Sequence, residues 1–154
     1  MEKTNVMRLL DAAHISYTPH EYDPTITDGQ SVAKTLGEEA ERVFKTLVTV
    51  SPDKKYYVFV VPVNATLHLK KAAKLVGEKS IAMLRQRDLL PLTGYVHGGC
   101  SPVGMKKRFP TVIDETAQLY ETIFVSAGKC GYQAELSPEA LAFYVQAKFG
   151  DITE

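Results

Sequence analysis

At the start of the chain apolar residues return every third or fourth position. Val6, Leu9, Leu10 and Ala13 fall on one helical face, and Thr4 stands where an N-cap belongs, so a helix is predicted from Thr4 to about Ala13. Ile15 to Tyr22 reads instead as a short strand, which Pro19 confines to a sheet edge or a bulge. Asp28 and Gly37 bracket a second helix that reaches Leu36. Phe44 to Ser51 and Tyr56 to Val61 are strands joined by the turn Ser51-Pro52-Asp53-Lys54. A basic amphipathic helix from Leu69 to Val76 ends at Gly77. Lys79 to Met83 then reads as a strand, and Leu84 to Leu90 as a short helix stopped by Pro91. Residues 93–111, rich in Gly, Pro and basic side chains, form a structured loop. Thr111 to Asp114, Thr122 to Ser126 and Tyr132 to Leu136 are strands, the last two joined by a turn over 127–131. Ser137 caps a final helix with Pro138 at its first position, running to near Gly150.

Several strand pairs have connections too short for a parallel crossover, so those pairs must be antiparallel. The pattern therefore predicts an α/β protein of the α+β type, with one mixed, strongly curved sheet and helices packed outside it. No repeat, linker or low-complexity tract divides the 154 residues, and one domain over 1–154 is expected.

Composition narrows the function classes. Hydrophobic residues at 45% and charged residues at 23% suit a globular chain with a substantial core. No run approaches the roughly 18 to 20 apolar residues that span a bilayer, and Met1-Glu2-Lys3-Thr4-Asn5 opens with charge and no apolar stretch, which points to the cytoplasm and away from membranes. Lys plus Arg balances Asp plus Glu at 18 each, unlike a nonspecific duplex-DNA binder. Any nucleic-acid contact must come from a local patch or from a partner. Cys100 and Cys130 lack C-x-x-C spacing and read as reduced thiols. His14, His20, His68 and His97 have no metal-ligand spacing, so neither metal nor cofactor is expected. Asp114 and Glu115 are adjacent and, if in a strand, point to opposite faces, so they make no carboxylate dyad.

The stretch with most chemical content is Gly94-Tyr95-Val96-His97-Gly98-Gly99-Cys100-Ser101-Pro102-Val103-Gly104-Met105-Lys106-Lys107-Arg108. Adjacent glycines before Ser-Pro allow a tight turn with unobstructed N–H groups, able to hold a carbonyl or phosphate oxygen, or simply to reverse the chain. Lys45 lies at the start of an otherwise apolar strand, on the face opposite Phe44. There it can reach a phosphate or the terminal ribose of a nucleic acid, or snorkel at the sheet rim. Lys70, Lys71 and Lys74 share a helix, and Lys106, Lys107, Arg108 and Lys129 follow the loops; they are either ordinary solvated surface or a patch steering an RNA end.

Phe44-Lys45-Thr46-Leu47, Leu69-Lys70-Lys71-Ala72-Ala73, Gly94-Tyr95, Gly98-Gly99-Cys100-Ser101-Pro102, Lys107-Arg108-Phe109-Pro110-Thr111, Asp114 and Val125-Ser126-Ala127-Gly128-Lys129 occur in order over nearly the full length. In this the chain closely resembles the YbaK/EbsC family, and within it the free-standing Cys-tRNA(Pro) deacylases of the bacterial prolyl-tRNA editing group. The resemblance implies a barrel-like mixed sheet and a trans-editing enzyme acting on the acceptor end of mischarged tRNA, in transient complex with prolyl-tRNA synthetase. It implies that Lys45 is the critical residue, anchoring the terminal phosphate or adenosine. Gly98, Gly99 and Ser101 would cradle the aminoacyl ester, with Cys100 and Pro102 of the same loop at the substrate, while Tyr22 and Thr46 line the pocket. It further implies that the substrate's own thiol attacks the ester, which agrees with the absence of a recognisable nucleophile–base set. Cys100, three residues from His97, reads either as a nucleophile or as a small apolar wall residue. Gln133 stands where some relatives carry an acid. The competing readings are a deacylase for alanine or another small amino acid, and a binding module without turnover.

Overall fold

Side-chain caps set the helix ends in the computed structural model, which describes residues 1–154. Thr4 accepts from the Met7 amide at the head of α1 (Asn5–Ala12), which buries Val6, Met7 and Leu10. After β1 (Tyr17–Glu21), Asp28 accepts from the Ser31 amide and starts α2 (Gly29–Leu36); Gly37, at φ 72°, ends it. The strands β2 (Phe44–Val50) and β3 (Tyr56–Pro62) follow, then α3 (Leu69–Leu75), with His68 as its cap. The remaining elements are β4 (Ala82–Met83), α4 (Gln86–Thr93), β5 (Thr111–Asp114), β6 (Ile123–Ser126), β7 (Tyr132–Leu136), α5 (Pro138–Val145) and β8 (Lys148–Gly150).

The strands divide between two open sheets. One is three-stranded, in the order β1-β7-β6, and wholly antiparallel; of the edge or bulge that Pro19 allowed, β1 takes the edge. The other is five-stranded, in the order β4-β2-β3-β5-β8, antiparallel on the β2 side and parallel on the β5 side. A parallel bridge between Val43 and Phe124 joins them, and neither sheet closes on itself. The mixed α/β architecture is as expected, whereas a single barrel-like sheet is not what these pairings describe.

Three details differ from the pattern-based expectation. Pro91 lies inside α4, where only one amide is forfeited. Thr93 Oγ1 donates to the Leu89 carbonyl (2.7 Å) and the Gly94 amide to that of Leu90 (2.9 Å), which secures the last turn. The strand expected over Lys79 to Met83 shrinks to β4, since pairing with β2 is limited to Thr49 and Val50. The final helix stops at Val145, because Gln146 adopts a left-handed φ of 57° and redirects the chain. Lys148 to Gly150 then pairs in parallel with Val112 to Asp114 as β8, an extension that local periodicity cannot reveal.

The largest core lies between the sheets, where Phe44, Val60 and Ile113 of one meet Ile123, Val125, Ala134 and Leu136 of the other, with α1 and α5 closing the ends. The opposite face of the five-stranded sheet packs Phe59, Val61 and Val112 against Ala72 and Ala73 of α3. Coverage on both faces explains why β3 is an almost unbroken apolar run. A third, small cluster of Ala33, Val43, Val63 and Phe124 seats α2 over the seam between the sheets. Arg42 clamps that seam: it donates to Thr122 Oγ1 (2.8 Å) and pairs with Glu38 (3.2 Å) and Glu135 (3.5 Å).

Candidate functional site

The seam leaves a gap along β2. One edge of this strand pairs with β3 throughout, while the other pairs with β6 only through the Val43 bridge and with β4 only at Thr49 and Val50. Beside the gap lies a cavity of about 400 Å³. Lys45 and Thr46 reach it from β2, Tyr22 from the end of β1, Asp28 and Gly29 from the start of α2, Gly98 and Cys100 from the long loop, and Gln133 from β7.

The polar groups here are unusually short of partners. Tyr22 Oη, Thr46 Oγ1 and Gln133 Oε1 are the three buried side-chain polar atoms of the chain without a hydrogen-bond partner, and all belong to residues lining this cavity. Buried polar atoms are ordinarily satisfied, so their convergence makes this cavity the candidate site for a polar ligand. Lys45 is half-buried, and burial holds its ammonium below the ordinary lysine range, partly offset by the charge of Asp28. It forms no ion pair. The Asp28 carboxylate is engaged with the Ser31 amide (3.0 Å) and hydroxyl (2.6 Å).

The glycine loop forms the facing wall. The Gly99 amide donates to the Val96 carbonyl (3.0 Å), closing a turn in which Gly98 has φ 88°. The amides of Gly98, Cys100 and Ser101 donate to no group of the protein. Tyr95 Oη donates to the Val103 carbonyl, and Ser101 Oγ accepts from the Val103 amide (3.2 Å), so the loop is held from behind. Burial pushes the Cys100 thiol up to about 12, which keeps it protonated at neutral pH. That is a wall residue's environment and not a nucleophile's.

Of the residues singled out from sequence, the fold gathers Tyr22, Lys45, Thr46, Gly98 and Cys100 around one cavity. Gly99 sits behind it, where a Cβ would lie 3.1 Å from the Cys130 amide nitrogen. Ser101 is fully buried in the loop's own bonding, and Pro102 lines a separate recess with Lys107 and Arg108. The other basic residues do not reach the cavity. Lys71 is bound to Asp151 (2.9 Å) and the Thr153 carbonyl (2.9 Å), and Lys129 to Glu2 (2.6 Å). Lys106 reaches the Pro91 carbonyl (3.4 Å), and Lys70 is exposed on α3, which packs on the far face of the five-stranded sheet. Lys45 is the one lysine or arginine lining the cavity. Sequence reasoning missed Asp28, Leu89, His97 and Ser126 as lining residues. Asp28 was visible only as a helix cap; His97 lies in the glycine stretch and Ser126 in one of the ordered motifs without being singled out as lining, and Leu89 stands outside them all.

Comparison with known proteins finds relatives by sequence and by fold. Residues 23–144 fit the family model of the aminoacyl-tRNA editing domain. The chain is 47% identical over 154 residues to an Enterococcus faecalis protein named as a candidate Cys-tRNA(Pro)/Cys-tRNA(Cys) deacylase, EbsC, covering 99% of this chain and 94% of that one. It is 31% identical over 100 residues to a proline–tRNA ligase of Shouchella clausii, covering 65% of this chain and 17% of the ligase. A solved structure of a candidate trans-editing enzyme for prolyl-tRNA synthetase shares the fold, with a TM-score of 0.85 at 24% identity over 100% of this chain and 99% of that one.

Proposed function

This chain belongs to the aminoacyl-tRNA editing domain family, and from that premise we propose that it deacylates Cys-tRNA(Pro), releasing free tRNA. Cysteine and proline have similar volumes, and a synthetic pocket rejects a near-isostere poorly, so a second site must remove the error. The observation that carries the reading is the convergence of the Tyr22, Thr46 and Gln133 orphan atoms on one cavity beside Lys45.

The chemistry asks little of the protein's own side chains. The sulfur of the bound cysteinyl group attacks its own ester carbonyl, and negative charge gathers on the carbonyl oxygen. The carbon–oxygen bond to the ribose then breaks, the ribose oxygen takes up the proton the thiol gave, and the cysteinyl group leaves as a cyclic thioester. The enzyme supplies position and stabilisation of the oxyanion. Lys45 anchors the terminal phosphate or adenosine, and Tyr22, Thr46, Gly98 and Cys100 enclose the aminoacyl group. Gly99, Ser101 and Pro102 hold the loop in shape. A chain with balanced charge and a single cation in its cavity has little to hold a whole tRNA, which supports a transient complex with prolyl-tRNA synthetase in the cytoplasm.

Single-turnover deacylation of proline tRNA charged with cysteine, alanine and proline tests the reading. Cysteine should be released fastest, and S-methylation of the substrate cysteine should abolish the gain. Faster release of alanine makes the chain an editor of another small amino acid. Binding without release makes it a carrier module. An S-methylated substrate cleaved as fast as the normal one removes the thiol mechanism.

A further inference from the structure

Thr46 offers more than its orphaned hydroxyl, as the hydrogen-bond phase of β2 reveals. In an antiparallel pair, alternate residues direct both N–H and C=O toward the partner strand, and those between direct both away. The Val63 amide donates to the Val43 carbonyl (2.8 Å) and the Ser51 amide to the Lys55 carbonyl (2.8 Å), at the two ends of an unbroken β2–β3 register. Residues 45, 47 and 49 therefore face β3, and 44, 46 and 48 face the opposite edge. The Leu84 amide, donating to the Val48 carbonyl (3.0 Å), confirms the phase from the other side. Val48 is thus covered by the chain that follows β4, and Phe44 lies at the bridge to β6. Thr46 falls between them. Its amide and carbonyl lie on that edge beside the cavity, past the bridge to β6 and before the pairing with β4, with no ladder partner.

We propose that the aminoacyl group of the substrate docks on this edge as a one-residue β-bridge: its α-amino group donates to the Thr46 carbonyl, and its ester carbonyl accepts from the Thr46 amide. The inference rests on the editing reading above and adds how the amino acid is held. An α-amino ester carries a donor and an acceptor on either side of one carbon, as a peptide residue does, so it complements a free strand edge. The one carboxylate that lines the cavity, Asp28, already accepts two bonds from Ser31 on its Oδ2. A main-chain carbonyl can receive the ammonium instead. The Thr46 amide then meets the oxygen on which charge gathers. Residues opposite each other in a bridge project side chains to the same face, so an L-cysteinyl thiol lies beside the orphaned Thr46 Oγ1, and a D-cysteinyl thiol points away from it.

The test follows the Thr46 amide directly. Adenosine carrying L-cysteine in amide linkage at its 3′ position is the probe, titrated into the ¹⁵N-labelled full chain. Binding should move the Thr46 amide resonance downfield and slow its hydrogen exchange. The D-cysteinyl probe, and one lacking the amino group, should bind about tenfold more weakly, the worth of one such bond. In turnover, Thr46→Pro, which removes the amide on a side where a strand tolerates its loss, should lower kcat/KM by at least ~100-fold. Thr46→Val keeps both main-chain groups and should lose no more than about tenfold. Should Thr46→Pro fail to fold, the resonance and exchange measurements on the unaltered chain decide alone. Tight binding of the L-probe with an unmoved Thr46 amide, or equal binding of L and D forms, overturns the bridge while leaving the editing reading intact. A chain that neither binds the probe nor deacylates Cys-tRNA(Pro) overturns both.

Discussion

Gly98 is pressed against Thr27: a Cβ added to it would lie 2.9 Å from both Thr27 Cβ and Thr27 Cγ2. The same glycine has φ 88°, which L side chains rarely adopt. Clash and backbone strain therefore coincide at the turn that faces Lys45. Gly98→Ala should destabilise the fold by about 1–3 kcal/mol and displace the loop wall, lowering deacylation at least ~10-fold. Gly37→Ala is the control, since Gly37 has φ 72° but nothing within 4 Å of its added Cβ. It should cost stability while leaving deacylation near that of the parent. Thermal denaturation beside single-turnover rates separates the two effects.

Lys45 should give the reaction a pH dependence of its own. Burial lowers its pKa, so its positive charge disappears at a lower pH than that of an exposed lysine. As pH rises through that window, the grip on a phosphate weakens and KM climbs. Stability moves the other way, because the unfolded chain there binds more protons than the folded one, and ΔG of unfolding rises with pH. Lys45→Arg retains charge throughout, so both trends should flatten. KM and denaturation midpoints measured across the alkaline range check both.

Tyr22→Phe should separate stability from function. The Tyr22 hydroxyl is buried without a partner, so removing it relieves a desolvation penalty in the free protein. The variant should be as stable as the parent or up to ~1 kcal/mol more stable, while deacylation falls about three- to tenfold. A variant that loses stability would mean that the hydroxyl has a structural partner.

Cys100 should not carry a covalent intermediate. With its thiol pushed up to about 12 by burial, only a minute fraction is thiolate at neutral pH. Intact-mass measurement of rapidly quenched turnover should show no cysteinyl adduct on the chain, and iodoacetamide should alkylate Cys100 slowly. A trapped adduct at Cys100 would make it the nucleophile.

What could be read from sequence was whatever local chemistry dictates. Thr4, Asp28 and Ser137 announced helix starts, and Pro19 announced a sheet edge or a bulge, because a cap or a missing amide acts within a few residues. The same locality misled at Pro91, where the bonds of Thr93 and Gly94 hold the helix, and at Lys148–Gly150, whose pairing partner lies more than thirty residues earlier in the chain. The ordered motifs around Lys45 and Gly98 could be recognised as belonging together. Their meeting at one cavity could not be computed from spacing.

By itself, then, the sequence determined most of the elements, the glycine turn and the family resemblance, all of which depend on short-range sterics and residue identity. Tertiary structure alone decided which polar atoms are left without partners. It also decided which of the many lysines faces the cavity, and that the edge of β2 is unpaired at Thr46. Those properties depend on where two separate sheets part, and that is set by packing between residues far apart in the chain.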